Sequence, residues 1–247
     1  MDQEVKEDWL LGRRVRVLQP TRGYRAGMDA ALLAAACPAR PGQRVIEAGC
    51  GVGSVLLQIA SRRPDVRLVG LERDPAACAL ARTNVTENQT DDRIEITEGD
   101  VAAGFRTLGQ TPFDWAISNP PFFDDETALR APAPSRRGAW IADDGLAAWT
   151  EFLLKAVREG GMIVMIHRAD RLAEILTLLA PKAGSFQIRP IHPFADKPAK
   201  RVIVRALKTG KAPLSLLPPL VLHDPPGARH TPEAEAILRG EAALDWA

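Results

Sequence analysis

Short apolar runs alternate with helically spaced apolar positions along the middle of the chain. Arg44–Ala48 (RVIEA), Arg67–Leu71 (RLVGL), Arg93–Thr97 (RIEIT), Phe113–Ser118 (FDWAIS) and Met162–His167 (MIVMIH) each have the length and composition of one buried strand. Helical patterns lie between them at Ser54–Arg63, Pro75 to Asn88 and Gly145–Arg158, and a further one follows at Ala169–Ala180. Asp74-Pro75 marks a helix start, with an Asp cap ahead of a Pro at the first helical position. Gly160-Gly161 reads as the stop of the Gly145–Arg158 helix. Phe186–Ile191 and Arg201–Leu207 (RVIVRAL) close the series without a helix between them; their short link, His192–Lys200, holds two prolines and makes that pair antiparallel.

Strands alternating with helices in this way predict a parallel sheet covered on both faces. The expected fold is α/β: a Rossmann-like, doubly wound, mostly parallel seven-stranded sheet with an antiparallel edge hairpin. The chain is read as one domain. Residues 1–40 form an N-terminal extension with a strand at Val15–Leu18 and a helix at Met28–Ala36, residues 41–210 the core, and residues 211–247 a C-terminal extension. In the last, Pro218-Pro219 confine the apolar run Leu214–Leu222 to an edge or extended segment, and Thr231-Pro232 opens a terminal helix over Glu233–Arg239. Asn119–Asp144 and Lys208–His230 show no regular pattern, and long irregular stretches within a compact domain are often functional.

Composition narrows the function. With 247 residues, 46% of them hydrophobic, the chain can bury a full core without staples. Its three cysteines, Cys37, Cys50 and Cys78, form no CxxC pair, which excludes a zinc ribbon and a disulfide scaffold and fits a reducing compartment. No metal site is expected. Met1–Glu7 is acidic and polar, unlike a signal peptide, and no apolar run reaches the length of about 18 residues that spans a bilayer, so the expected location is the cytoplasm. A net charge of +1 argues against a protein that coats nucleic acid uniformly, but clusters such as Arg136-Arg137 and Lys197, Lys200, Arg201 and Arg205 leave room for a local basic face. His167, His192, His223 and His230 are scattered and read as structural or surface groups; the tryptophans read as packing residues, with Trp140 the best placed to act as a base platform.

The first core strand runs into Glu47-Ala48-Gly49-Cys50-Gly51-Val52-Gly53 and then a helix. Glycines at a strand's carboxyl end let backbone approach a ligand closely. The spacing is GxGxG, whereas a dinucleotide fingerprint would need a third glycine at Ser54. A pyrophosphate also wants an unobstructed helix N-terminus, whereas Glu47 suits a ligand without phosphate, such as S-adenosylmethionine. Glu72 ends the second strand, where a carboxylate can accept from both hydroxyls of a ribose in either ligand. Asp100, after the third strand, can accept from an exocyclic adenine amine.

Asn119-Pro120-Pro121-Phe122 follows the fourth strand. Neither proline donates an N–H, so the Pro120 carbonyl is free of local hairpin pairing and, with the Asn119 side-chain oxygen, offers two acceptors beside the flat face of Phe122. That set suits a planar –NH₂ group. Two accepted hydrogen bonds favour tetrahedral nitrogen, restoring a lone pair that would otherwise be delocalised into a ring. Such a group then attacks a sulfonium methyl in line, with positioning supplying most of the rate.

These motifs resemble class I S-adenosylmethionine-dependent methyltransferases of the branch that carries (D/N/S)PP(Y/F). Within it the chain is similar to the bacterial tRNA (valine) adenine-N6 methyltransferase family, over Gln19–Ala34 before the glycine loop and Arg229–Gly240 near the end as well as in the core. The resemblance implies S-adenosylmethionine as cofactor and tRNA as substrate. It places Glu47, Gly49, Cys50, Gly51, Gly53, Glu72, Arg73, Asp100, Val101 and Asn119 around the cofactor, with Arg25 and Asp29 closing over its methionine end. It makes Asn119, Pro120, Pro121 and Phe122 the catalytic segment. Arg136, Arg137, Lys200 and Arg201 are the expected phosphate contacts for RNA. Phe122 stands where many adenine-N6 enzymes carry tyrosine, and related guanine-N2 enzymes use phenylalanine, so guanine-N2 methylation of ribosomal RNA is one alternative. Methylation of a protein glutamine is a second, disfavoured by the short N-terminal segment, and a nicotinamide-dependent oxidoreductase is opposed by both GxGxG and NPPF.

Overall fold

A computed structural model describes residues 4–21, 27–122, 145–224 and 229–246. Five strands pair in parallel: β3 (Arg44–Ala48), β4 (Arg67–Glu72), β5 (Ile94–Glu98), β6 (Phe113–Ser118) and β7 (Val157–Arg168). Two longer strands, β8 (Ala183–His192) and β9 (Arg201–Lys208), extend the sheet, and β9 lies antiparallel between β7 and β8. Two-residue strands β10 (Ser215–Leu216) and β11 (Leu220–Val221) then run parallel to β8 on its outer side. The sheet order is β10-β8-β9-β7-β6-β3-β4-β5, with β11 also on β8. The seven expected strands and the antiparallel hairpin are present. Pro218-Pro219, between β10 and β11, limits each edge strand to a brief pairing.

Helices cover both faces, which is why the inner strands are apolar almost throughout: Ile163, Val164, Met165 and Ile166 have no exposed surface. One face carries α1 (Met28–Ala35), α2 (Ser54–Arg62) and α3 (Pro75–Glu87). The other carries α4 (Gly145–Ala156), α5 (Leu172–Leu179) and two 3-10 turns at Val101–Ala103 and Phe105–Leu108. The Asp74 cap accepts from the Ala76 N–H at 2.9 Å, as its Asp-Pro signature predicts.

Two elements differ from expectation. The helix predicted over Gly145–Arg158 ends at Ala156, and β7 begins at Val157. Gly160-Gly161 lies inside the strand, where the register with β6 shifts between Phe113 and Trp115. Gly160 has φ +68, and a Cβ on Gly161 would sit 2.9 Å from the Asp114 carbonyl, so the pair provides a bulge rather than a helix stop. The N-terminal strand is also half of a hairpin, β1 (Val5–Leu10) against β2 (Val15–Pro20). The polar sequence of β1 hides it, because this strand packs little and is mostly exposed.

The two extensions share the core of the first face. Val15 and Val17 from β2, and Ile237, Leu244 and Trp246 from α6 (Pro232–Leu238) and beyond, belong to one buried cluster with α1 and α2. The Trp246 indole donates to the Ala36 carbonyl at 3.1 Å. Among the described residues no helix is long and apolar enough to cross a membrane.

Asn84 of α3 joins β2 to the glycine loop. Its side chain accepts from Leu18 N–H at 2.8 Å and donates to the Leu18 and Val52 carbonyls at 3.0 Å each. It is fully buried, so Asn84→Ala leaves backbone groups without partners and is expected to lower stability by about 2–3 kcal/mol in urea unfolding.

Candidate active site

A sheet covered on both faces has room for polar chemistry only at its edges, and here the carboxyl ends of the parallel strands collect the candidate residues. Glu47 lies near the end of β3, Glu72 ends β4, Asp100 follows β5, Asn119 follows β6, and His167 is one residue from the end of β7.

The glycine loop is folded against β4 by backbone bonds. Gly49 and Cys50 N–H both donate to the Leu71 carbonyl, at 2.8 and 2.9 Å. Gly49 has φ +70, and a Cβ there would meet the Trp149 ring of α4 at 2.4 Å, so close packing as well as backbone conformation requires glycine. At Gly51, φ +54, nothing among the described residues lies within 4 Å of where a Cβ would stand.

Glu72 organises this end of the site. Its carboxylate accepts from the N–H groups of Gly51, Arg73 and Asp74, each at 2.9 Å. The side chain therefore fixes the loop and stays half-buried at its rim. Asp100 caps the first 3-10 turn by accepting from Ala102 N–H at 2.8 Å, and its other oxygen lies 3.9 Å from the Arg73 guanidinium. Val101 beside it is buried.

Glu47 is enclosed, with 2% of its surface exposed, and its Oε2 has no hydrogen-bond partner among the described residues. Burial, and then the nearby Glu72 charge, push its carboxyl well above the ordinary carboxylate range. Burial also raises the Cys50 thiol, with Glu47 and Glu72 adding to the effect, so this cysteine stays protonated and is no nucleophile.

At the other end, the Ser118 hydroxyl donates to the Ala48 carbonyl at 2.9 Å and ties the end of β6 to the entrance of the glycine loop. Asn119-Pro120-Pro121-Phe122 leaves the sheet from this point, with Pro120 buried and Asn119, Pro121 and Phe122 half-buried. His167 meets the Phe122 ring edge-on at 5.1 Å, and the Arg201 guanidinium lies over that ring at 4.6 Å. Arg201 Nε donates to Asp29 Oδ2 at 2.9 Å.

The structure thus brings Glu47, Gly49, Cys50, Gly51, Gly53, Glu72, Arg73, Asp100, Val101 and Asn119–Phe122 to one edge, with Asp29 and Arg201 paired beside Phe122. Lys200 is exposed next to Arg201. Arg25, Arg136, Arg137 and Trp140 lie outside the described residues. Sequence reasoning set His167 aside with the other histidines. Its signal is a polar residue closing the apolar run MIVMIH at the carboxyl end of a parallel strand. His223 and His230 stack on each other at 5.1 Å, and His192 faces the Lys197 carbonyl.

Residues 25–132 match the family model for the methyltransferase small domain. The tRNA1(Val) (adenine(37)-N6)-methyltransferase of Yersinia pestis (strain Pestoides F) is 33% identical over 179 residues, covering 71% of this chain and 70% of that protein. The enzyme of the same description from Porphyromonas gingivalis (strain ATCC 33277) is 28% identical over 201 residues, 77% of each chain. Among solved structures, a predicted O-methyltransferase from Agrobacterium tumefaciens superimposes with a TM-score of 0.73 at 26% identity, covering 87% of this chain and 98% of that one.

The folded protein holds the Glu47 proton more tightly than the unfolded chain does. Stability is therefore expected to fall as pH rises above the ordinary carboxyl value of about 4.5. Glu47→Gln, a neutral isostere, should flatten this decline and be more stable than the parent at pH 8, as read by denaturant midpoints across a pH series.

Proposed function

Because the chain belongs to the tRNA1(Val) (adenine(37)-N6)-methyltransferase family, it is an S-adenosylmethionine-dependent methyltransferase, and we propose that it methylates the exocyclic amine of a tRNA adenine held at Asn119–Phe122. The observation that carries the assignment of the seat is the bond from Ser118 to Ala48, which sets this segment beside the glycine loop.

The residues present suit the cofactor. Among the described residues, Glu47 has a buried oxygen without a partner, nothing approaches Gly51 where a Cβ would stand, and the edge gathers carboxylates that match hydroxyl, amine and cationic groups. Glu47, Gly49, Cys50, Gly51 and Gly53 would line it, Glu72 would accept from its ribose, and Asp100, with Arg73 and Val101 beside it, from its adenine amine. Arg25 and Asp29 would close over its methionine end, and Asp29 also pairs with Arg201. When bound, the cofactor supplies an electrophilic methyl group on a positively charged sulfur.

The chain's own contribution is placement. Asn119 and the Pro120 carbonyl accept the two N–H groups of the target amine and favour its tetrahedral form. Pro121 stiffens the exit of the segment, and Phe122 offers its ring to the base. The transferred methyl leaves an acidic ammonium that gives up its proton readily, so the segment needs no strong base; His167, pushed down to about 4 mainly by burial, is neutral beside it. The target base must be unpaired or flipped to reach this edge. In this reading Arg136, Arg137 and Lys200 hold tRNA phosphates, residues 1–247 act as one unit with a shared core, and the protein works in the cytoplasm.

The test is transfer of labelled methyl from S-adenosylmethionine to unmodified tRNA and, separately, to protein, with digestion and mass identification of the products. N6-methyladenosine in tRNA is expected, with a loss on the order of a hundredfold or more for Asn119→Ala. Methylguanosine or methylglutamine as the product would overturn the target.

A further inference from the structure

Two prolines stiffen the backbone leading to Phe122, yet its ring can still rotate about its own side-chain bonds. A stacking platform assists an in-line transfer only when its plane is set before the base arrives. Two residues from distant parts of the chain do the setting. His167, at the end of β7, meets the ring edge-on, and Arg201, the first residue of β9, lies over it. Arg168 and Arg201 are register partners across β7 and β9, so both contacts come from one rigid corner of the sheet.

Arg201 is itself aimed. Its Nε donates to Asp29 in the first turn of α1 at 2.9 Å, and its Nη1 to the Lys200 carbonyl at 3.2 Å. Both partners of this ion pair are mostly shielded, with side chains 30% and 22% exposed. With its charge matched by the Asp29 carboxylate and two of its five N–H donors engaged, Arg201 attracts a phosphate less than a solvent-facing arginine would. A guanidinium that is planar and delocalised is well suited to lie on an aromatic face. The imidazole, held neutral, leaves Arg201 as the cation against the ring.

We propose that Arg201, oriented by Asp29, is a positioning residue that holds the Phe122 ring in the plane on which the target base stacks, and not an RNA-phosphate contact. This rests on the reading of Phe122 as the base platform. Asp29 accordingly acts on the target side of the site through Arg201.

A double-mutant cycle tests it. Phe122→Ala, Arg201→Ala and the double variant are assayed for kcat and KM on a tRNA transcript at saturating S-adenosylmethionine. Cofactor affinity and the salt dependence of tRNA binding are measured alongside. Arg201→Ala is expected to lower kcat/KM about tenfold, mainly through kcat, and to cost less than about twofold once Phe122 is alanine. Arg201→Lys should restore activity only in part, because an ammonium cannot both stack as a plane and donate as Nε does. Cofactor affinity should not change. Losses that add in the double variant, or a reduced salt slope for tRNA binding on Arg201→Ala, would overturn the proposal and make Arg201 an RNA contact. Should Arg201→Ala fail to fold, Arg201→Gln, which removes the planar cation, is carried through the same cycle with the same two outcomes. An intact chain that methylates no adenine overturns the functional reading and this proposal together, whereas additivity in an active enzyme overturns this proposal alone.

Discussion

Both faces of the parallel sheet are buried under helices, and this leaves the carboxyl edge as the place where polar groups can gather without unmatched burial. Everything assigned to chemistry follows from that constraint. The strands end at staggered points on one rim, each delivering a polar residue just where its apolar run stops: Glu47, Glu72, Asp100, Asn119 and His167. The backbone groups freed at those strand ends need partners, and the same residues supply several of them. Glu72 satisfies three N–H groups, Asp100 one, and Ser118 joins two strand ends.

The rim has an electrostatic division. On the β3–β4–β5 side it is acidic, and Glu47 is so enclosed that its carboxyl favours the proton. A cationic ligand near Glu47 would ease that cost and favour its ionised form. On the β6–β7–β9 side the charge is basic but internally matched, with Arg201 paired to Asp29 and the adjacent imidazole neutral. Phe122 is half-buried, with the Arg201 guanidinium over its ring and His167 meeting it edge-on. A cofactor bearing positive charge and a neutral heterocyclic base would each meet the half that suits it.

The two ends of the chain serve this rim from a distance. The N-terminal hairpin is fixed through Asn84, which also bonds Val52 of the glycine loop, and α1 presents Asp29 to β9. The C-terminal segment closes the same core, with Trp246 bonded to Ala36 just past α1. Distortion at either end would therefore be felt at the loop and at Arg201 through packed elements, without any direct contact with ligand.

Local sequence determined a large part of this. Apolar runs bounded by glycine, proline and capping residues are short-range signals, so the strand–helix alternation, the Asp74 cap, the glycine loop and the NPPF segment were legible from the residues alone. The resemblance to a methyltransferase family rested on those same motifs. Local sequence could not determine which residues from separate elements would meet. Asp29 and Arg201 are 172 positions apart, and only the antiparallel return of β9 beside β7 makes them one ion pair beside Phe122. Gly160-Gly161 had the composition of a helix stop, but pairing with β6 turned it into a strand bulge. β1, polar and exposed, carries no apolar period to reveal it and exists because β2 offers a partner edge. Patterns set by neighbours in sequence could be read directly. Contacts that depend on strand order, register and the direction of a returning chain were decided by the tertiary structure.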